Sequence, residues 1–314
     1  MRATVVVPLY NKAPYVLRAL DSIAAQTFGD FEVILVDDGS TDGGGEIASQ
    51  YLDARIRVLR QENSGPGAAR NRGIAEARGE FIAFLDADDE WRPEYLAHAV
   101  ACFDRFGADV AAVTSGYLEY PSGISREPLW RARGIREGVH RVTPRTPVEL
   151  LVNMLAYMSP WSTMVRAATI RKWGGFFDRD RCVYGEDAFI WIKVLLNEAV
   201  AFHTRPLACF HTEASGLSIN LPGSRPVEPF LVYPEEIEAT CPPPLRDLLA
   251  RLFARRAFKT ACVLGYWGQW RKAAEIRRRF ACPGAWRLAY YFPGLLASTP
   301  AGAFAGAVWR ALLR

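Results

Sequence analysis

Phe81-Ile82-Ala83-Phe84-Leu85 sets five apolar residues in succession and then runs directly into Asp86, Asp88, Asp89 and Glu90. Such a run is too short for a buried helix and lacks the alternation of a half-exposed strand, so it predicts a strand covered on both faces. Four acids within five positions repel one another at neutral pH, and two readings answer that. In one, a divalent cation neutralises them, since carboxylate oxygens suit Mg²⁺ or Mn²⁺ and Mg²⁺ takes one or two protein carboxylates plus substrate phosphates. In the other they form a solvated turn in which Asp88 or Asp89 caps a helix starting near Pro93.

The N-terminal stretch repeats the theme. Thr4 to Val7 is β-branched and apolar, and Pro8-Leu9-Tyr10-Asn11-Lys12 follows as its exit loop, placing Tyr10 where an aromatic face can stack on a base. Val16, Leu17, Leu20, Ile23 and Ala24 recur at helical spacing, and Phe31 to Val36 then forms a second buried strand ending in Asp37-Asp38-Gly39-Ser40-Thr41-Asp42. Two buried strands that finish in acid, with a helix between them, describe a βαβ unit whose polar groups gather at the carboxyl edge, where open α/β sheets bind ligands. Asp42 fits helix capping, whereas Asp38, nearer the strand end, fits a ligand contact.

Ile56 to Leu59 predicts a third strand. Asn63-Ser64-Gly65-Pro66-Gly67-Ala68-Ala69-Arg70-Asn71-Arg72-Gly73 then combines glycines that admit a ligand to the backbone, a helix N-terminus that favours an anion, and Arg70 and Arg72 as forks for phosphate. The stretch lacks the Lys-Ser/Thr of a P-loop. Beyond the acidic cluster the pattern predicts a helix over 93–106, one or two strands over 108–120, and an Arg-rich surface loop over 121–146. A helix over 146–157 and a strand entered from Ser159 come next, followed by Tyr184-Gly185-Glu186-Asp187 opening a helix and a strand over 199–210 that runs into His211. Acids at a helix start serve as caps, and one of two adjacent acids after a Tyr-Gly turn can also stand in a cleft as a base.

Charge divides the chain. Residues 241–314 hold 13 Lys and Arg against 2 Asp and Glu, a net of +11, which leaves −7 on residues 1–240. An acidic body of that size argues against wrapping nucleic acid. The six cysteines are scattered, with no C-x-x-C pair, which suits reduced thiols in a cytoplasmic setting. Met1-Arg2 runs into Ala3 to Pro8, a stretch too short and with too few charges in front to be expected as a signal peptide. After Pro242-Pro243-Pro244 the pattern is helical, with Leu245, Leu248, Leu249, Leu252 and Phe253 on one face and arginines between them. That region suits a helical appendage or a peripheral attachment to the inner face of an anionic membrane. The uncharged Leu288–Trp309 run has 22 residues, the length of a membrane span, but Pro293 and Pro300 interrupt it.

Five motifs in this order, Val6-Val7-Pro8-Leu9-Tyr10-Asn11, Val36 to Asp42, Asn63 to Asn71, Leu85 to Asp89 and Gly185-Glu186-Asp187, resemble those of glycosyltransferase family 2, inverting enzymes of the GT-A fold. The resemblance covers residues 3–220 and implies a Rossmann-like, mostly parallel α/β sheet flanked by helices, with 1–90 as the nucleotide half, 91–240 as the acceptor half and 241–314 as a helical, Trp-rich appendage. It implies that Pro8, Tyr10, Asn11 and Asp38 form the wall for the base of a UDP-linked sugar, with Arg70 near base or phosphates and Asp86 toward the ribose. Asp88, with Asp89 and His211 close by, would hold Mn²⁺ or Mg²⁺ on the diphosphate. Asp187, beside Glu186, would deprotonate a hydroxyl of a saccharide or lipid-linked glycan acceptor. The loop before Gly185 departs from the usual acidic run by carrying Arg179 and Arg181. Three alternatives compete: a transferase-like scaffold without turnover, a membrane-surface binding protein, and a nucleotidyltransferase. The last is disfavoured because Pro8 to Asn11 offers an aromatic and an amide where a phosphate-reading base would stand.

Overall fold

The computed structural model describes residues 1–215, 226–280, 296–302 and 304, and the chain divides into two compact units, residues 1–142 with 149–219 and residues 143–148 with 220–314. The first unit opens with β1 (Ala3–Leu9), α1 (Val16–Ala24), β2 (Phe31–Asp37), α2 (Gly44–Ser49), β3 (Ile56–Arg60), α3 (Pro66–Glu76), β4 (Phe81–Phe84), β5 (Glu90–Trp91) and α4 (Tyr95–Phe106). It continues with β6 (Val110–Tyr120), β7 (Ile124–Ser125), α5 (Glu127–Ala132), β8 (Gly138–Arg141), α6 (Val148–Tyr157), β9 (Thr163–Arg166), α7 (Ala167–Lys172), α8 (Glu186–Asn197) and β10 (Ala199–His211).

One sheet runs in the order β3-β2-β1-β4-β9-β6-β10-β5, with β7 on β6 and β8 on β10. β1 pairs in parallel with β2 and β4, and β2 in parallel with β3; β9 enters antiparallel between β4 and β6. Both faces of the central strands are covered, which explains their unbroken apolar runs. Val5, Val7 and Leu9 join Phe81, Ala83 and Leu85 in a core with Val16, Ala19, Leu20 and Ile23 of α1 and Phe103 of α4, where the Phe81 and Phe103 rings stack at 4.2 Å. On the opposite face Val6 meets α3 so closely that a Cβ at Gly73 would stand 2.3 Å from it. Leu17, expected with the apolar face of α1, is instead exposed.

Register carries the strand ends to one edge. Leu9 pairs with Asp37 and Val6 with Phe84, and the amides of Asp38 and Leu85 extend the ladders by donating to Leu9 O and Val6 O at 2.8 and 3.0 Å. Asp38 and Asp86 thus leave the sheet on either side of Tyr10. Residues 121–146 differ from the expected loop: β8 pairs antiparallel with the first residues of β10, and Trp130 and Ile135 are buried. Strand pairing from outside the segment orders a stretch whose own periodicity is weak.

The second unit includes α9 (Pro229–Val232), α10 (Pro234–Glu238), α11 (Arg246–Tyr266) and α12 (Trp270–Arg279). Leu245, Leu248, Leu249, Leu252 and Phe253 are buried as the spacing predicted, and Phe230 stacks on Phe253. Glu228, buried, accepts from Arg256 Nη2 at 2.9 Å and Thr260 Oγ1 at 2.6 Å, so its charge is paired inside the unit. Among the described residues no helix is long and apolar enough to cross a membrane. Of the Leu288–Trp309 run, only residues 296–302 and 304 fall within the described residues.

Candidate active site

Tyr10 leaves β1 about half exposed, with Pro8 behind it in the strand. Asn11 follows at φ +50°, and its side-chain oxygen accepts from the Thr41 amide at 2.9 Å while its own amide donates to Ser40 Oγ at 3.1 Å. Asn11 therefore stitches the exits of β1 and β2 together. Asp42 accepts from the amides of Ala13 and Gly44 just ahead of α2, whose N-cap position is Gly43 rather than the expected Asp42.

Asp38 is buried and fully oriented. Its Oδ1 accepts from Gln61 Nε2 at 2.7 Å and the Ser64 amide at 2.9 Å, and Oδ2 accepts from the Gly65 amide at 2.9 Å. Three of about four lone-pair sites are used, so one remains for a ligand. The glycine-rich stretch beyond it corrects an expectation. A Cβ at Gly67 would stand 2.1 Å from Phe177 O and one at Gly65 would stand 3.1 Å from Cys182 O, so the backbone these glycines admit belongs to the chain's own 177–182 loop. Asn71 locks that loop, donating from Nδ2 to Phe176 O at 2.8 Å and accepting from the Phe176 amide at 2.8 Å.

Arg70 also differs from a fork presented to phosphate. It is buried in α3 over the Phe176 ring, with Nη2 donating to Asp86 Oδ1 at 2.7 Å and Nη1 to Glu186 Oε1 at 2.8 Å. Burial works against its charge, yet Asp86 and Glu186 together hold its pKa above the ordinary value. Arg72, the second expected fork, is exposed. One guanidinium thus joins the end of β4 to the start of α8.

Gly185, at φ +75°, turns the chain into α8 and sets Glu186 and Asp187 in its first turn. Burial and the neighbouring Asp187 push Glu186 up to about 7, against the pull of Arg70. Burial likewise raises Asp187, whose Oδ1 accepts from the Ala188 amide at 2.8 Å. A raised carboxylate at a helix start, beside a buried Glu–Arg pair, has the basicity to take a proton.

The end of β4 is neutralised from several sides. Asp88 is held by Lys12 Nζ, which also donates to Ala214 O at 2.6 Å, and Arg18 Nη2 donates to Asp88 O at 2.5 Å. Burial and Asp86 raise the Asp88 carboxyl, and Lys12 offsets them. Asp89 is driven well up by burial and by Asp88 and Asp86, while Oδ1 accepts the His211 amide at 2.9 Å. Neither aspartate caps α4, whose N-cap position is Glu94. His211 stacks on Tyr120, with Nδ1 2.8 Å from Glu213 Oε1 and Nε2 3.2 Å from Glu90 Oε1, so both ring nitrogens are engaged.

Among the described residues no three His, Cys, Asp or Glu side chains converge as a metal cage. The donor chemistry still fits Mn²⁺ or Mg²⁺ on a diphosphate, because such ions need only one or two protein carboxylates and Asp88 is a crowded carboxylate already drawing a cation. Lys12, Arg18 and Glu213 carried no role in the sequence, whereas Glu90 stood there among the four acids after β4. A lysine two positions beyond Tyr10 in a strand-exit loop was a signal for Lys12, while the others depend on where β10 ends.

The sheet order and the gathering of Tyr10, Asp38, Asp86 and Asp187 at strand ends and a helix start define the GT-A class of α/β fold, and solved structures share it. Staphylococcus aureus TarS residues 1–349, determined with UDP-GlcNAc, aligns at TM-score 0.60 and 21% identity over 94% of this chain and 80% of that one. The Pyrobaculum calidifontis mannosyltransferase PcManGT, determined with GDP-Man and Mn²⁺, aligns at TM-score 0.54 and 22% identity over 98% and 86%. The family model described as Glycosyl transferase family 2 matches residues 4–153, just under half of the chain. The succinoglycan biosynthesis protein ExoW of Rhizobium meliloti is 44% identical over 128 residues, 38% of this chain and 40% of that protein. The chain spans about a third of the length of the curated relatives it matches.

Proposed function

We propose that the chain is an inverting glycosyltransferase that moves a sugar from a nucleoside-diphosphate sugar, UDP-linked, to a hydroxyl of a saccharide or lipid-linked glycan in polysaccharide assembly. The observation that carries this reading is Arg70, one buried guanidinium shared between Asp86 at the nucleotide edge of the sheet and Glu186 beside the candidate base. Residues 1–90 act as the nucleotide half and 91–240 as the acceptor half.

In this reading the base stacks on exposed Tyr10 with Pro8 behind it, and Asp38 and Asn11 fix the loops around it. Asp86 faces the ribose from its contact with Arg70. Asp187 takes the proton of the acceptor hydroxyl, the oxygen bonds to the anomeric carbon, and the bond to the diphosphate breaks with its electron pair leaving on phosphate. A single base suffices because the diphosphate is already a good leaving group, unlike the paired carboxylates of a glycosidase. Asp88, with Asp89 and His211 beside it, would hold Mn²⁺ or Mg²⁺, which supplies positive charge to the departing diphosphate. PcManGT, solved with Mn²⁺, and TarS, solved with a UDP-sugar, support the donor class.

Residues 241–314 add a peripheral contact with an anionic membrane on the cytoplasmic side. α12 buries Ala273, Ala274 and Ile276 and carries Arg271, Lys272 and Arg277 to Arg279 elsewhere around it. No nucleic acid is involved.

The test is thermal unfolding of the full chain with UDP, GDP, dTDP, CDP and CMP, with and without Mn²⁺, beside Asp88→Ala. A ligand at a hundredfold excess over its Kd stabilises by about 2.7 kcal/mol, a clear shift in Tm. A Mn²⁺-dependent shift with one diphosphate, absent in the variant, is expected. No shift with any nucleotide would sink the reading and leave a transferase-like scaffold.

A further inference from the structure

Among the described residues, Lys12 is the one cation whose charged atom touches an oxygen of the candidate metal carboxylate. Its ammonium lies between Asp88 Oδ2 and the Ala214 carbonyl, 2.6 Å from the latter, and 5.7 Å from the centre of the Tyr15 ring. An anionic carboxylate oxygen and a backbone carbonyl, drawn from segments 126 residues apart in the chain, are two donors of the kind a hard divalent ion takes. Both converge on one positive point. The lysine is itself only partly exposed, at 23%, on a four-carbon stem that can swing away.

We propose that Lys12 is a tethered counter-cation: it occupies the position of the divalent ion while the site is free of donor, and yields Asp88 when metal and diphosphate arrive together. Without it, Asp88 would face Asp86 and Asp89 with no cation on its carboxylate, a costly arrangement in a buried cluster. With it, a lone metal ion must displace a positive charge already in contact. The negative diphosphate changes that balance, because it gives the ammonium a second anion and the metal further oxygens. Lys12 is thus a positioning residue that makes metal uptake conditional on nucleotide. The inference rests on the metal-dependent donor reading above.

Mn²⁺ binding to the full chain, read by loss of the free-ion EPR signal, separates the two. Wild type is expected to bind Mn²⁺ weakly alone and more tightly with its cognate diphosphate from UDP, GDP, dTDP and CDP. Lys12→Met, which keeps length and removes charge, is expected to bind Mn²⁺ alone roughly tenfold more tightly, since a like charge in contact is gone. Lys12→Arg, which keeps the charge, stays near wild type. If Lys12→Met does not fold, Lys12→Gln, whose amide still donates to Ala214 O, makes the same measurement. Mn²⁺ affinity unchanged or weakened in the uncharged variant, with nucleotide-dependent uptake intact in wild type, overturns the role of Lys12 alone. No Mn²⁺ uptake by wild type with any of the four diphosphates overturns the donor reading and this inference together.

Discussion

The ends of β2 and β4 carry almost the same signature, a buried apolar strand that stops in aspartate, and the fold uses them in opposite ways. At the end of β2, Asp38 is met by neutral donors: the Gln61 amide and the backbone N–H groups of Ser64 and Gly65. At the end of β4, Asp86 and Asp88 are met by the side-chain cations of Arg70 and Lys12, in a cluster where burial and the neighbouring carboxylates push Asp88 and Asp89 toward protonation. Backbone donors are part of the chain path and cannot leave without unfolding a loop. A lysine side chain can exchange its partner. In the proposed function the first arrangement builds a wall, and the second keeps a charge available for a ligand.

Substitutions at the two ends can break this contrast. The largest effect is expected at Arg70→Ala, which strands the buried Glu186 carboxylate and the partly exposed Asp86, and should cost about 3 kcal/mol in urea unfolding. A loss below about 1 kcal/mol would mean that the carboxylates find other partners and that the bridge is dispensable. Asp38→Ala comes next. It leaves two loop amides without an acceptor and should cost about 2–3 kcal/mol, with Asp38→Asn recovering part of it through its remaining oxygen. Asp88→Asn should change stability by less than about 1 kcal/mol, because a lost contact with Lys12 is offset by relief from Asp86, while the Mn²⁺-dependent nucleotide shift disappears. Equal losses at Asp38 and Asp88 would erase the distinction between wall and exchangeable charge.

How much of this was legible follows from what each feature depends on. The central strands and their carboxyl edge were readable because burial on both faces forces uninterrupted apolar runs, and parallel pairing brings the following residues to one edge. The helix of the basic region was readable from Leu245, Leu248, Leu249, Leu252 and Phe253, all buried as spaced. The different fates of Asp38 and Asp88 were not, because each is decided by residues remote in sequence: Ser64 for one, Lys12 and Ala214 for the other. Arg70 resembled a phosphate fork in sequence, yet its partner Glu186 lies 116 positions away and turns it inward. The strand at residues 138–141 was hidden for a similar reason, since its order comes from pairing with β10.

The smallest expected effect concerns the far end of the Arg70 bridge and is a matter of pH. Glu186 is held at about 7 in the folded chain, above its ordinary value of 4.5, mainly by burial and by Asp187. A carboxyl whose folded pKa lies above its unfolded one binds the proton more tightly in the folded state, so its contribution to stability is largest below about 4.5 and declines until about 7. Glu186→Gln, which cannot titrate, removes that decline. The variant should therefore gain on wild type between pH 5 and 7.5 in paired urea titrations, with the raised carboxyls at the end of β4 cancelling in the difference. A difference that stays constant across that range would mean that Arg70 keeps Glu186 ionised throughout. The bridge would then be a permanent ion pair, and the proton-taking capacity of this end of the site would rest on Asp187 without a titrating neighbour.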